Sequence, residues 1–357
     1  MFNNFDGFGA DEVWVKALTQ FGKLNLSIQP SRGGNTIELL HSVFSIQNPR
    51  ERWVVSRQPA INPAFAIVEV ICLITGGRDA KILNFYNTQL PRFAGNRRIY
   101  HGAYGYRLRS HFGFDQLDRA CSALLHNGES RQIVLQMWDP SVDFPTAEGM
   151  PSDQDIPCNV CSLVKLRDGR LEWMQIIRSN DLFLGVPYNL VQFTFLQEIL
   201  AGWLGSGIGE YNQLSDSLHI YDRDLHVLAS LDKTVVPRPN TDTIGLNQRE
   251  SKKLFCELSA YLDRFVHSIH NQNQLRQICI EFDAPQGFKN LLYLVGAETA
   301  RRYKWKKLSE ELISFCSNSL FEMLWRRWIQ RLETTFSNGK TKEAKSISPS
   351  VTSVISR

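Results

Sequence analysis

Long apolar runs are missing from this sequence of 357 residues. The longest, Ala64 to Thr75, is broken by Glu69 and falls short of the roughly 20 residues that a membrane-spanning helix needs. A disulfide framework is missing as well: the seven cysteines (Cys72, Cys121, Cys158, Cys161, Cys256, Cys279 and Cys316) are an odd set scattered among apolar neighbours. That usage fits a reducing cytoplasm. Acids come early (Asp6, Asp11, Glu12) with no basic flank and apolar run, so no signal peptide is expected. Charge of one sign is scarce. A net +4 does not mark a nucleic-acid binder, although it would help to collect a phosphorylated metabolite. No internal repeat is present. With 43% hydrophobic residues, the chain has material for one large core and a smaller appendage of a soluble globular protein.

The patterning predicts an amphipathic helix over Asp11 to Phe21, strands at Ile37 to Phe44 and Arg52 to Ser56, and a buried helix from Asn62-Pro63 to Gly76-Gly77. Ile82 to Gly95 reads as an aromatic loop, Phe114 to His126 as a helix, and Ser130 to Trp138 as a strand. Asp139 to Asp155 should be a surface loop. Cys158 to Leu166 and Leu171 to Ile177 form a hairpin about Asp168-Gly169, followed by a helix over Leu190 to Leu204 and a short strand over Ser217 to Tyr221. After Pro237 the pattern is helical (Ser251 to His270, Phe288 to Tyr303, Leu308 to Leu332), and the tail from Ser337 is polar enough to be disordered. The expectation is an α+β fold, with a catalytic unit over 1–236, a helical C-terminal extension over 237–336 and a tail over 337–357.

Chemistry concentrates between Pro157 and Tyr221. Cys158 follows a proline and a polar loop, where a thiol meets solvent, and attack requires its thiolate. Arg178 is a candidate for the cation that favours that form. Cys158 and Cys161 also spell a CxxC, but no second CxxC or histidine cluster accompanies it, so no metal is expected. A simply buried cysteine is the competing reading. Asn189 either caps the following helix or reads a heterocycle edge, since a carboxamide both donates and accepts and so matches the N–H and carbonyl of uracil. His219 and Tyr221 share a strand face, to grip a sugar hydroxyl or merely to pack. Glu69, within an apolar helix, is paired, protonated or at a cleft. Arg32, in Ser31-Arg32-Gly33-Gly34-Asn35, is a phosphate contact or a solvated turn residue.

Taken together, Tyr104-Gly105, Ser130-Arg131, Pro157-Cys158, Arg178-Ser179-x-Asp181, Leu184-Gly185-x-Pro187-Tyr188-Asn189 and His219-x-Tyr221 resemble the thymidylate synthase and pyrimidine-nucleotide hydroxymethylase superfamily over roughly Pro30 to Asp224. Phe193 to Glu198, Gly207-Ile208-Gly209 and His219 to Asp222 are similar to the hydroxymethylases in particular. The resemblance implies a bent mixed sheet with flanking helices, pairing back to back in a homodimer. It implies methylenetetrahydrofolate as co-substrate and a pyrimidine nucleoside monophosphate as acceptor. Cys158 would add to C6 of the base, Glu69 would manage protons and Tyr104 would assist removal of the C5 proton. Arg32, Arg178 and Ser179 would hold the phosphate, with Arg131 donated across the dimer. Asn189 would read the base and His219 and Tyr221 the sugar, while Asp181, Gly185 and Tyr188 would meet the folate.

The departures concern what happens at C5. Asn159 stands where a synthase has His, Gln132 where it has a second Arg, and no Trp falls near Leu90 to Ala94. The sequence ends in Val354-Ile355-Ser356-Arg357 instead of a short apolar sealing tail. Missing cover favours water over hydride, hence hydroxymethylation of a uracil nucleotide. Reductive methylation to thymidylate, cytosine-nucleotide hydroxymethylation, and a non-catalytic nucleotide- or RNA-binding protein using Trp325 to Arg331 are the competing readings.

Overall fold

The structure, a computed structural model, describes residues 2–23, 27–31, 33–229, 231–232 and 234–346. Seven strands make one mixed sheet: β1 (Asn3–Gly7), β2 (Ile28–Ser31), β3 (Gly34–Ile46), β4 (Val134–Gln136), β5 (Asn159–Arg167), β6 (Arg170–Asp181) and β7 (Gly207–Tyr221). Their order is β1-β3-β7-β6-β5-β4, with β2 folded back on β3. β1 runs parallel to β3 and β6 to β7, and the other neighbours are antiparallel. Asp168 and Gly169, at φ 50° and 71°, turn β5 into β6 through the backbone shape that an Asp-Gly hairpin favours.

The first helices are α1 (Ala10–Lys23), α2 (Pro63–Thr75), α3 (Ala80–Tyr86), α4 (Leu90–Ala94), α5 (Tyr104–Tyr106), α6 (Gln116–His126), α7 (Pro140–Asp143) and α8 (Val186–Leu204). The extension adds α9 (Gln248–His267), α10 (Gln272–Glu281), α11 (Gln286–Arg302), α12 (Lys306–Ser314) and α13 (Ser319–Ser346). No described helix is long and apolar enough to cross a membrane. The result is an α+β fold, as expected.

α1 and α8 cover one face of the sheet. The cross-strand row Phe44, Gln213, Gln175 and Ser162 lies under them, fully buried. The neighbouring rows, Val43-Leu214-Ile176 and Ser45-Asn212-Met174-Leu163-Val134, are half-buried or exposed on the opposite face. α2 starts sharply because the Asn62 side chain accepts from the Phe65 amide (3.1 Å) and Pro63 sits in its first turn. It ends on Gly76 at φ 79°. It is apolar all round because α8 flanks it on one side and α9, α11 and α13 on others, in one core continuous with the extension.

Several sequence expectations give way here. Arg52 to Ser56 is not a strand: its apolar alternation reflects burial of Trp53, Val54 and Val55, while Arg52 turns inward to Glu198 on α8. Ile82 to Gly95 is not a loop but α3, capped by Asp79, and α4. The strand expected over Ser130 to Trp138 pairs only at Val134–Gln136, whereas β7 is far longer than Ser217 to Tyr221. α10 was not expected, and Leu308 to Leu332 is divided between α12 and α13. α13 extends into the segment expected to be a disordered tail, of which 347–357 lie outside the described residues.

Glu198 holds this arrangement together. It accepts from buried Arg52 and from the Ile244 amide (3.1 Å) at the start of the extension. Glu198→Ala leaves the Arg52 guanidinium buried and unpaired, so urea unfolding should show a loss of about 3–5 kcal/mol. A loss below about 1 kcal/mol would contradict that role.

Candidate active site

Cys158 stands immediately before β5, half-buried. Antiparallel pairing with β6 brings Arg178 alongside, and its amide donates to the Cys158 carbonyl (2.9 Å). The exposed Arg178 side chain folds back along the segment that leads into Cys158, donating to the carbonyls of Pro157 (3.0 Å) and Ile156 (3.4 Å). Cys161, the other half of the CxxC, is buried, and burial pushes its thiol up. Among the described residues no group of three or more His, Cys, Asp or Glu is arranged to hold a metal ion.

Tyr104 opens α5 with its phenol beside Cys158 and Asn159 and its ring 5.9 Å from that of Phe193. Burial raises this phenol well above its usual range, so it stays neutral as a donor and acceptor. The turn comes this close to α2 only because residue 105 is glycine: a Cβ there would lie 2.2 Å from the Cys72 carbonyl oxygen. Glu69 projects from α2 toward Gln192 on α8. Burial pushes its carboxyl up to about 8, against the hydrogen bond from Gln192. Its Oε2 is buried with no hydrogen-bond partner among the described residues. At neutral pH this group is mostly a protonated acid.

Asn189 lies inside α8, so it does not cap the helix: its amide already bonds to the Gly185 carbonyl (3.0 Å). Its side chain donates instead to Asn180 Oδ1 (3.1 Å), and Asn180 donates to Ser215 Oγ (2.9 Å). This relay fixes which way the Asn189 amide faces, leaving its oxygen and one N–H for a ligand. Asp181 ends β6 in register with His219. Its Oδ1 accepts from the Phe183 and Leu184 amides, both at 2.7 Å, and shapes the turn into α8. Its Oδ2 is buried without a partner among the described residues, and burial raises this carboxyl.

His219 and Tyr221 share a face, as expected, with rings 5.5 Å apart and edge-on. Gly33 presses on Tyr221 so closely that a Cβ there would lie 2.5 Å from its hydroxyl. Ser179 is half-buried on β6 opposite Ser217. Gly185 sits where a Cβ would be 3.2 Å from both Asn180 Oδ1 and the Asp181 carbonyl. The Tyr188 hydroxyl accepts from the Asn62 amide (3.0 Å). Cys158, Glu69, Tyr104, Arg178, Asp181, Asn189, His219 and Tyr221 thus belong to one connected neighbourhood. Arg131 does not join it within one chain, being exposed just before β4, and Arg32 lies outside the described residues.

Supporting residues escaped the sequence reading. Asn180 and Gln192 orient Asn189 and Glu69, and buried Arg57 donates to the Phe183 carbonyl (2.8 Å) beneath the Asp181 turn. A buried arginine or amide in an apolar stretch was the available signal.

Comparison with known proteins gives a family-model match to "Thymidylate synthase" over residues 32–263. The chain is 33% identical over 217 residues to the deoxyuridylate hydroxymethyltransferase of Pseudomonas phage M6, covering 60% of each protein. It is 27% identical over 289 residues to the protein of the same name from Bacillus phage SP01, covering 78% of this chain and 73% of that one. A thymidylate synthase of Oenococcus oeni is 30% identical over 155 residues, 43% of this chain and 46% of that protein.

Proposed function

Because the chain belongs to the thymidylate synthase family, we propose that it transfers a one-carbon unit to C5 of a uracil nucleoside monophosphate and releases a hydroxymethyl product. The observation that carries this reading is the half-buried Cys158 thiol at the head of β5, with Arg178 paired to it across the strands and bonded to the Pro157 carbonyl, and the Tyr104 phenol beside it.

Cys158 attacks as the thiolate, forming a bond to C6 while the ring π electrons move toward C5 and the O4 carbonyl. Charge gathering on O4 is met by two groups. The Asn189 N–H left over by Asn180 donates to it, and neutral Glu69 is an acid whose proton is available on the same side. The Asn189 oxygen accepts the ring N3–H, which selects uracil. C5 would take up the one-carbon unit as that unit's bond to the folate nitrogen breaks, and Tyr104 takes part in removing the C5 proton to leave an exocyclic methylene. Once hydroxide has added there, the electrons returning through O4 and C5 break the C6–S bond and restore the thiolate. Arg178 and Ser179 hold the phosphate together with Arg32, and His219 and Tyr221 hold the sugar.

The residues fit a folate: Asp181 Oδ2 is the buried acceptor that an N–H-rich heterocycle satisfies, next to Gly185 and Tyr188. Methylenetetrahydrofolate, when bound there, supplies the carbon at the oxidation level of formaldehyde. An exocyclic methylene left on C5 takes hydroxide where water reaches it and hydride where water is excluded. Here α4 provides no indole, its Phe93 is turned to solvent, and Asn159 is a polar neighbour of the thiol. The names of the two phage relatives favour the same outcome. Reductive methylation is the second reading, favoured by the Oenococcus relative. Product mass decides between them: dUMP or UMP should gain CH2O with no dihydrofolate formed, whereas gain of CH2 with matching dihydrofolate would establish methylation.

Homodimerisation through the open sheet face, with Arg131 reaching the partner's nucleotide phosphate, belongs to the same reading, as does a cytoplasmic location. Residues 1–236 carry the chemistry and 237–336 support it. Asn189→Asp should lower kcat/KM for the uracil nucleotide by about a hundredfold and raise it for the cytosine nucleotide, because a carboxylate only accepts. Unchanged preference in parallel assays on dUMP and dCMP would remove Asn189 from base recognition.

A further inference from the structure

α9 to α13 contribute no group to the steps above, yet they grip the segment from which α2 starts. On α11, Glu298 is fully buried and its carboxylate accepts from Arg301 (2.7 Å), Arg302 (2.8 Å) and the Trp328 indole of α13 (3.2 Å). Held in this way, Arg302 points a second N–H at the Tyr86 carbonyl (2.6 Å), which also accepts from the Asn62 side chain (3.0 Å). Farther along α13, Arg331 donates to the Ala60 carbonyl (2.6 Å).

Asn62 lies at the centre of these contacts. Its side-chain oxygen caps α2, the helix that carries Glu69, and its amide donates to the Tyr188 hydroxyl (3.0 Å). Arg331 therefore holds the backbone two residues before Asn62, and Arg302 holds the Tyr86 carbonyl that the Asn62 side chain also bonds, so both bear on the residue that orients a candidate acid and a candidate folate contact. Such bonds from guanidinium to carbonyl are charge-assisted and directional. Burial holds the Arg331 guanidinium below its usual range, and nearby Tyr188 opposes that effect.

We infer that Arg331, with Arg302, is a positioning residue that clamps Ala60 to Asn62 and so sets the Tyr188 hydroxyl and the start of the Glu69 helix for the folate side of the site. The extension is then a built-in wall of the site. This inference rests on the one-carbon chemistry proposed above.

The test uses the full chain with Arg331→Ala, Arg331→Lys, Tyr188→Phe and the double variant Arg331→Ala/Tyr188→Phe. Arg331→Ala should raise KM for methylenetetrahydrofolate about tenfold and leave the dissociation constant for dUMP within about twofold. Arg331→Lys should recover most of the loss. In the Tyr188→Phe background the Arg331→Ala change should add less than about twofold, because the two act in series. Hydrogen exchange should quicken at 60–65 and around 188, and not in β7. Multiplying effects of the two substitutions, equal losses for both substrates, or unchanged exchange at 60–65 would overturn the inference. A wild-type protein that makes no one-carbon product, while exchange still responds to Arg331→Ala, would contradict the proposed reaction and leave the clamp standing.

Discussion

Cys158→Ala protein should form product at least about 10⁴-fold more slowly than wild type while binding dUMP with affinity within about threefold. The thiol makes its bond to C6 only along the reaction path, so its removal takes away transition-state stabilisation and little ground-state binding. The phosphate and base contacts assigned to Arg178, Ser179 and Asn189 stay in place, because Arg178 is anchored to the backbone of Ile156 and Pro157 and Asn189 to Asn180. Cys158→Ser should also be inactive at neutral pH, since an alcohol has no comparable anion. The assay is single-turnover product formation beside calorimetric titration with dUMP. Retained turnover in Cys158→Ala would exclude covalent catalysis by this residue.

Glu69→Gln should have opposite effects on activity and stability. The carboxyl ionises near 4.5 in an unfolded chain and near 8 in the folded protein, where α2 and α8 shield it from water. Below the lower value it is protonated in both states and has no pH-dependent effect. Between the two values the unfolded chain releases a proton that the folded protein keeps, so wild-type stability falls as pH rises, by up to about 1.4 kcal/mol per pH unit. Above the higher value the penalty is constant. Gln carries no ionisable proton, so the variant should be more stable than wild type by up to about 3 kcal/mol at neutral pH and lack that slope. Its kcat should drop by about a hundredfold or more, and wild-type kcat should decline above about pH 8 as the acid is lost. Parallel urea titrations across this range check the claim. Identical slopes for the two proteins would mean that Glu69 is ionised in the folded state.

Much of this site could be read from residue types alone. The Pro157-Cys158 step, the Asp168-Gly169 turn and the Asn62-Pro63 helix start are local signals, and the backbone follows them closely. Reading failed where the deciding interaction is remote. The apolar residues after Arg52 look like a strand, but Glu198, far along the chain, draws Arg52 inward, and the segment pairs with no strand among the described residues. Gln213 and Ser215 lie outside the strand expected over Ser217 to Tyr221, whereas they are buried polar residues of β7, with Ser215 bonded to Asn180 across the sheet. Asn189 kept two readings in sequence. The cap was removed only by the extra turn of α8 that begins at Val186, where Pro187 is tolerated in the first turn. Arg131 is a case of another kind, since the phosphate proposed for it would belong to a second copy of the chain.

In the proposed reaction, sulfur addition at C6 makes C5 a nucleophile. This step is tested most directly with dUMP or UMP tritiated at C5, incubated with methylenetetrahydrofolate and the intact protein. Tritium should appear in water in step with product in the wild-type reaction and stay on the base with Cys158→Ala. Product formed with the label retained, or no release from any pyrimidine nucleotide by folded wild-type protein, would contradict it.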